Sequence, residues 1–128
     1  MRPDINSEKT AEDYLEAMLI LKKKNGEVRS VDVAHYLGIT KPSVTYTTKR
    51  LREKGYITMD ANNYITITEK GLEIAEKIYA RHNTLTELFI RLGVPEDIAE
   101  EDACKIEHDI SPETFDALCR HLETYTTN

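Results

Sequence analysis

The stretch Val31-Asp-Val-Ala34-His-Tyr-Leu-Gly38-Ile-Thr40-Lys-Pro-Ser-Val44 decides the fold. Small Ala34 lets two helices approach closely, Gly38 supplies a turn four residues later, and Val44 anchors a second helix six residues beyond that. Ser30 is the expected N-cap of the first helix and Thr40 of the second. Pro42 suits the opening turn, where an amide hydrogen has no helical partner anyway. The second helix is expected to run to Lys54, with Gly55 closing it. This spacing predicts a helix-turn-helix whose second helix suits a major groove.

Towards the N-terminus, Ser7 is positioned to cap a helix with Ala11, Tyr14, Leu15, Met18, Leu19 and Leu21 on its apolar face, ending near Gly26. Towards the C-terminus the period changes. Ile57, Met59, Ile65 and Ile67 alternate with polar residues around Asn62-Asn63, which predicts a small β-hairpin. Thr68 then caps a long helix whose apolar stripe is Leu72, Ala75, Ile78, Tyr79, Leu85, Phe89 and Leu92, with His82 among them. Gly93 and Pro95 end that pattern, and Ser111-Pro112-Glu113 opens a last helix carrying Phe115, Leu118, Cys119 and Leu122. The expected fold is mainly α: a winged helix-turn-helix over residues 1–68, then an all-helical lobe over residues 69–128.

The net charge of −6 argues against a nucleic-acid partner until its distribution is read. Residues 22–56 carry nine Lys and Arg against three Asp and Glu, whereas residues 95–128 carry two against ten. A DNA-binding lobe needs positive charge only where it meets phosphates. The basic block coincides with the helix-turn-helix, so double-stranded DNA is the expected partner. Thr40, Lys41, Pro42, Ser43, Thr45, Tyr46, Lys49 and Arg50 are the candidate contacts. Pro42 and Ser43 suit base edges, and Lys49, Arg50 and Arg52 suit phosphates. The wing tip, Asp60-Ala-Asn-Asn-Tyr64, is not basic, which predicts weak wing contacts. No apolar run approaches the roughly 18 residues of a membrane span. The opening Met-Arg-Pro-Asp-Ile-Asn has no apolar core, and two cysteines make no disulfide framework. A reduced, cytoplasmic protein is expected.

Cys104-Lys-Ile-Glu107-His108 carries a different chemistry. A thiol, a carboxylate and an imidazole at i, i+3 and i+4 share one face if the segment is helical, and together suit a transition-metal ion. Asp13 and Glu16 are spaced i, i+3 on the first helix. Taken singly, each has a plain alternative: His82 as a core histidine, Asp13 and Glu16 as solvated acids, Cys104 as a small core residue.

The chain resembles the diphtheria-toxin-repressor and manganese-transport-regulator family of metal-dependent repressors. The resemblance runs from about Thr10 to the end. It rests on Glu12-Asp-Tyr-Leu-Glu16, Thr40-Lys-Pro-Ser-Val-Thr45, Leu51-Arg-Glu-Lys-Gly-Tyr56, Tyr79-Ala-Arg-His82 and Cys104-Lys-Ile-Glu-His108. It implies a homodimer that binds a pseudo-palindromic operator and represses metal-uptake genes when Mn(II) or Fe(II) is plentiful. It also implies metal ligands Asp13, His82, Cys104, Glu107 and His108, with Glu16 as a further candidate. Such an ion joins the winged helix to the helical lobe, and operator and metal then strengthen each other's binding reciprocally. Asp13 and Glu16 match the manganese-type members, whereas Cys104 matches the iron-type. Hard carboxylates favour Mn(II), and a thiolate moves preference towards Fe(II), Co(II) or Zn(II). Thr86 and Glu100 stand where the iron-type accessory site has Glu and His. The chain reads as a short form without the SH3-like domain of longer members.

Three other readings compete. A winged-helix regulator sensing a non-metal signal would bind no metal. A metallo-hydrolase would use the carboxylate and histidine to activate water, but the helix-turn-helix and its lobe leave little substrate pocket. A structural zinc site would carry more cysteines in closer pairing.

Overall fold

The computed structural model describes residues 8–126, so the expected cap Ser7 lies outside the described residues. The elements are α1 (Glu8–Asn25), α2 (Ser30–Leu37), α3 (Lys41–Glu53), β1 (Ile57–Met59), β2 (Ile65–Ile67), α4 (Glu69–Arg91), α5 (Glu96–Ile106) and α6 (Pro112–Thr126). They form two compact units, residues 1–76 and 77–128, with the division inside α4.

In the first unit, α1 packs on α2 and β2, α2 on α3, and α3 on β1. Leu15, Met18, Val28, Val33, Val44, Leu51, Ile57 and Ile65 are buried and form its core. Burying an aliphatic side chain of this size contributes roughly 1.5–3 kcal/mol. Val33 is the fully buried residue of α2, while Ala34 beside it is only half-buried. Gly38 takes φ 66° at the C-cap of α2, a left-handed conformation that glycine adopts without a Cβ clash. Thr40 caps α3 as expected, accepting a hydrogen bond from the Ser43 amide at 3.3 Å. The cap of α2 is Arg29 rather than Ser30. Its amide donates to Asp32 Oδ2 at 2.9 Å, so the acid three residues on fixes the helix start.

The hairpin is antiparallel, with Ile57 opposite Ile67 and Met59 opposite Ile65. Its tip is organised by Asp60, whose Oδ1 accepts from the amides of Asn62 and Tyr64 at 2.9 and 3.0 Å. Asn63 supplies the left-handed residue, at φ 67°. Arg29 pairs with Tyr64 as an isolated bridge, and the Ile65 amide donates to the Val28 carbonyl. A third extended segment thus borders the wing. Thr68 joins wing to α4: its hydroxyl donates to the Gly55 carbonyl at 2.7 Å and accepts from the Gly71 amide at 3.2 Å. Gly71 leaves no room for a side chain, because a Cβ there would lie 2.1 Å from the Tyr56 carbonyl oxygen.

In the second unit, Ile78, Leu85, Ala99 and Ala103 are fully buried. Ser111 caps α6 through its hydroxyl, which accepts from the Thr114 amide at 3.1 Å. Phe115, Leu118, Cys119 and Leu122 are each only partly covered. Leu92, expected on the α4 stripe, falls just past the helix end and is 72% exposed. No helix among the described residues is long and apolar enough to cross a membrane.

Candidate nucleic-acid interface and metal centre

Burial sorts the residues of α3 into two faces. Val44, Thr47, Thr48 and Leu51 face the core, and Thr48 returns its hydroxyl hydrogen to the Val44 carbonyl at 2.8 Å. Lys41, Pro42, Ser43, Thr45, Tyr46 and Lys49 are exposed, and Arg50 is half-buried. Lys41, Pro42, Thr45, Tyr46, Lys49 and Arg50 line an open groove with Arg52, Met59, Asp60 and Asn63. The Thr40 hydroxyl donates to Ser43 Oγ at 2.9 Å, so two of the candidate DNA contacts also build the helix cap. Arg29 lines the same groove and lies over the Tyr64 ring at 5.2 Å. It was not singled out from the sequence, although it sits inside the basic block. Its neighbour in space, Tyr64, is 35 residues away and gives no local signal.

In the second unit, Glu107 is fully buried between two imidazoles. Its Oε2 lies 2.9 Å from His82 Nδ1, and its Oε1 lies 3.5 Å from His108 Nε2. The first is a hydrogen bond. The second is too long for one, and Oε1 accepts no hydrogen bond among the described residues. His82 comes from α4, whereas Glu107 and His108 follow the end of α5. Helix α5 stops at Ile106, Glu107 is its C-cap and His108 lies in the turn beyond. Cys104 thus sits on α5, Glu107 at its C-cap with αR backbone and its amide bonded to the Ala103 carbonyl, and His108 just beyond. Cys104 is exposed, while the side chains of Glu107 and His108 are buried. Beyond Glu107 the chain tightens, with the Asp109 amide bonded back three residues to the Ile106 carbonyl.

Asp13 and Glu16 lie on α1 in the first unit, Asp13 half-buried and Glu16 buried. Thr86 donates its hydroxyl hydrogen to the His82 carbonyl at 2.7 Å, bracing the backbone that carries His82. Glu100 is exposed on α5.

Arg81, next to His82, was also not singled out from the sequence. Its side chain is buried, and its Nη1 donates to the carbonyls of Glu107 at 3.1 Å and Ile110 at 3.0 Å. Its guanidinium lies 5.2 Å from the centre of the Phe115 ring.

The donor set of two imidazoles and one buried carboxylate suits a divalent transition metal. A carboxylate oxygen shut away from water without a hydrogen bond is costly unless a cation meets it. On that observation the residues present fit a metal ion.

Comparisons with known proteins give the family and the fold. Residues 7–63 match the iron dependent repressor N-terminal DNA binding domain, and residues 68–128 match the iron dependent repressor metal binding and dimerisation domain. An HTH-type transcriptional regulator of Methanocaldococcus jannaschii is 37% identical over 116 residues, covering 89% of this chain and 93% of that protein. The transcriptional regulator MntR of Salmonella typhimurium is 34% identical over 117 residues, covering 91% of this chain and 74% of MntR. Among solved structures, T. acidophilum IdeR superposes with a TM-score of 0.80 at 22% identity, over 96% of this chain and 56% of that one. A manganese-dependent transcriptional repressor in complex with manganese gives 0.79 at 23% identity, over 88% and 52%. The chain thus spans about half the length of these two solved relatives, which share its fold. With both of its halves matched, the chain belongs to the iron-dependent repressor family of metal-responsive, DNA-binding transcriptional regulators and is not an enzyme.

Proposed function

We propose that this protein is a cytoplasmic, homodimeric repressor of metal-uptake genes that binds a pseudo-palindromic operator when Mn(II) or Fe(II) is plentiful. The observation that carries the reading is the buried Glu107 carboxylate, set between His82 and His108 with one oxygen accepting no hydrogen bond among the described residues. His82, Glu107 and His108 hold the ion, with Asp13, Glu16 and Cys104 as the further ligands that the family resemblance implies. When bound, the ion supplies positive charge to acidic groups that otherwise repel one another.

The exposed face of α3 reads the operator through Thr40, Lys41, Pro42, Ser43, Thr45, Tyr46, Lys49 and Arg50. A bound ion takes conformational freedom from its ligands, so less is left to lose on docking to DNA. A dimer is supported by the apolar side chains that the second unit leaves exposed, Ile90, Leu92 and Ile98. Two recognition helices in such a dimer fit half-sites about one helical turn apart.

The test starts with duplexes selected from a random pool in Mn(II). They are then titrated anaerobically with the protein, in chelator and in added Mn(II) or Fe(II). Tight binding only with metal is expected. Equal affinity in chelator would sink the metal switch and favour a regulator that senses something else.

A further inference from the structure

We infer that Arg81 is a positioning residue that sets the Glu107–Ile110 turn in its ligand-bearing shape before any ion arrives. The inference rests on the metal reading of His82, Glu107 and His108. Helix α5 ends at Ile106, and the carbonyls past a helix end need donors from outside the helix. Backbone amides supply some: Glu107 donates to Ala103 and Asp109 to Ile106. The carbonyls of Glu107 and Ile110 are met by Arg81, whose two Nη1 hydrogens match the two acceptors. A cation at this end also suits the negative pole of α5.

Arg81 thus closes both ends of the turn from one side chain, reaching across 26 and 29 residues of sequence. Phe115, at the start of α6, provides the flat surface on which the guanidinium rests. Helix α4 therefore offers two consecutive residues to the same turn. His82 meets the Glu107 carboxylate, and Arg81 meets the Glu107 backbone. A carboxylate held at both its side chain and its main chain has little freedom left to lose on binding an ion.

The experiment compares wild type with Arg81→Met and Arg81→Lys. Mn(II) affinity is measured by competition with a chromophoric chelator. Amide hydrogen exchange is measured on the metal-free proteins. For Arg81→Met, a ten- to hundredfold loss of Mn(II) affinity is expected, the size typical of groups that orient metal ligands. Exchange should accelerate at the Glu107 and Asp109 amides but not along α4 or α6. Lysine should restore part of the affinity, since it keeps a donor but lacks the planar face.

Wild-type affinity in Arg81→Met, or faster exchange throughout the second unit, would overturn the positioning role. Should Arg81→Met fail to fold, Phe115→Leu and Arg81→Lys carry the same readouts. Their expected loss is several-fold, and an unchanged affinity in both overturns the role. Wild-type protein that takes up neither Mn(II) nor Fe(II) overturns the functional reading and this inference together. Undiminished uptake by the variants alone overturns only this inference.

Discussion

The recognition helix and the turn after α5 carry polar residues under opposite conditions. On α3, Lys41, Ser43, Thr45 and Lys49 face water, and the buried Thr48 satisfies itself on its own helix. Nothing there costs the fold much, so those side chains are kept for what they can touch outside the molecule. At the α5–α6 turn the order is reversed. Glu107 is fully buried, and the buried Arg81 holds the backbone beside it. A buried carboxylate is expensive, so its presence is itself an argument for a cation. On α3 the exposed polar groups cost the fold little, whereas at the turn the buried ones need partners within the protein or a bound cation.

The contrast breaks most visibly at Glu107. Glu107→Ala is expected to weaken Mn(II) binding by at least about a hundredfold, beyond the effect typical of groups that only orient ligands. The metal-free protein should lose some stability, because alanine leaves a cavity and removes the hydrogen-bond partner of His82. Chelator competition and thermal unfolding in chelator measure the two arms. A destabilised apo protein with unaltered metal affinity would mean that the carboxylate is structural.

Next in size is Gly71→Ala, expected to cost about 1–3 kcal/mol, the usual penalty for overpacking. The clash is with the Tyr56 backbone in the first unit. Metal affinity should change far less than denaturant stability.

The two caps sharpen the comparison on equal terms. Thr40→Ala and Ser111→Ala each remove a hydroxyl that accepts a helix amide and should each cost about 1 kcal/mol. Only Thr40→Ala is expected to weaken operator binding as well, measured by fluorescence anisotropy. Equal effects on the operator would break the assignment of α3 as the reading surface.

The smallest effect concerns the cysteines. Burial, then the nearby carboxylates of Asp116 and Glu123, push the Cys119 thiol up, with a hydrogen bond to the Thr84 side chain opposing. A raised thiol leaves less thiolate at neutral pH, so alkylation should be slower at Cys119 than at exposed Cys104. The lag should shrink as pH rises through the Cys119 value. Mass spectrometry of peptides after timed alkylation reads this directly. Protection of Cys104 alone by Mn(II) or Fe(II) would support its place among the ligands, and no protection would remove it.

Much of the first unit was legible because its signals are local. Gly38, Thr40, Pro42 and the alternation of Ile57, Met59, Ile65 and Ile67 act within a few residues, and the helices and hairpin lie where those residues predict. The exceptions are contacts across longer spans, such as Arg29 beside Tyr64 and Gly71 beneath the Tyr56 carbonyl. In the second unit, helical spacing groups Cys104 with Glu107 and His108 but does not give their burial. Helix α5 stops at Ile106, and Cys104 is exposed while the side chains of Glu107 and His108 are buried, a difference set by what packs over each position.

By itself, then, the sequence determined the helix-turn-helix, the basic block that coincides with it and the wing, whereas the candidate metal ligands came as a set only through the family resemblance. The helix-turn-helix, wing and basic block follow from periodicity, caps and charge. Only the tertiary structure decided that α5 ends at Ile106, that His82 meets Glu107 rather than the core alone, and that Arg81 braces the turn. Those outcomes depend on which orphaned carbonyls and buried charges find partners 25 or more residues away, and no local pattern encodes that pairing.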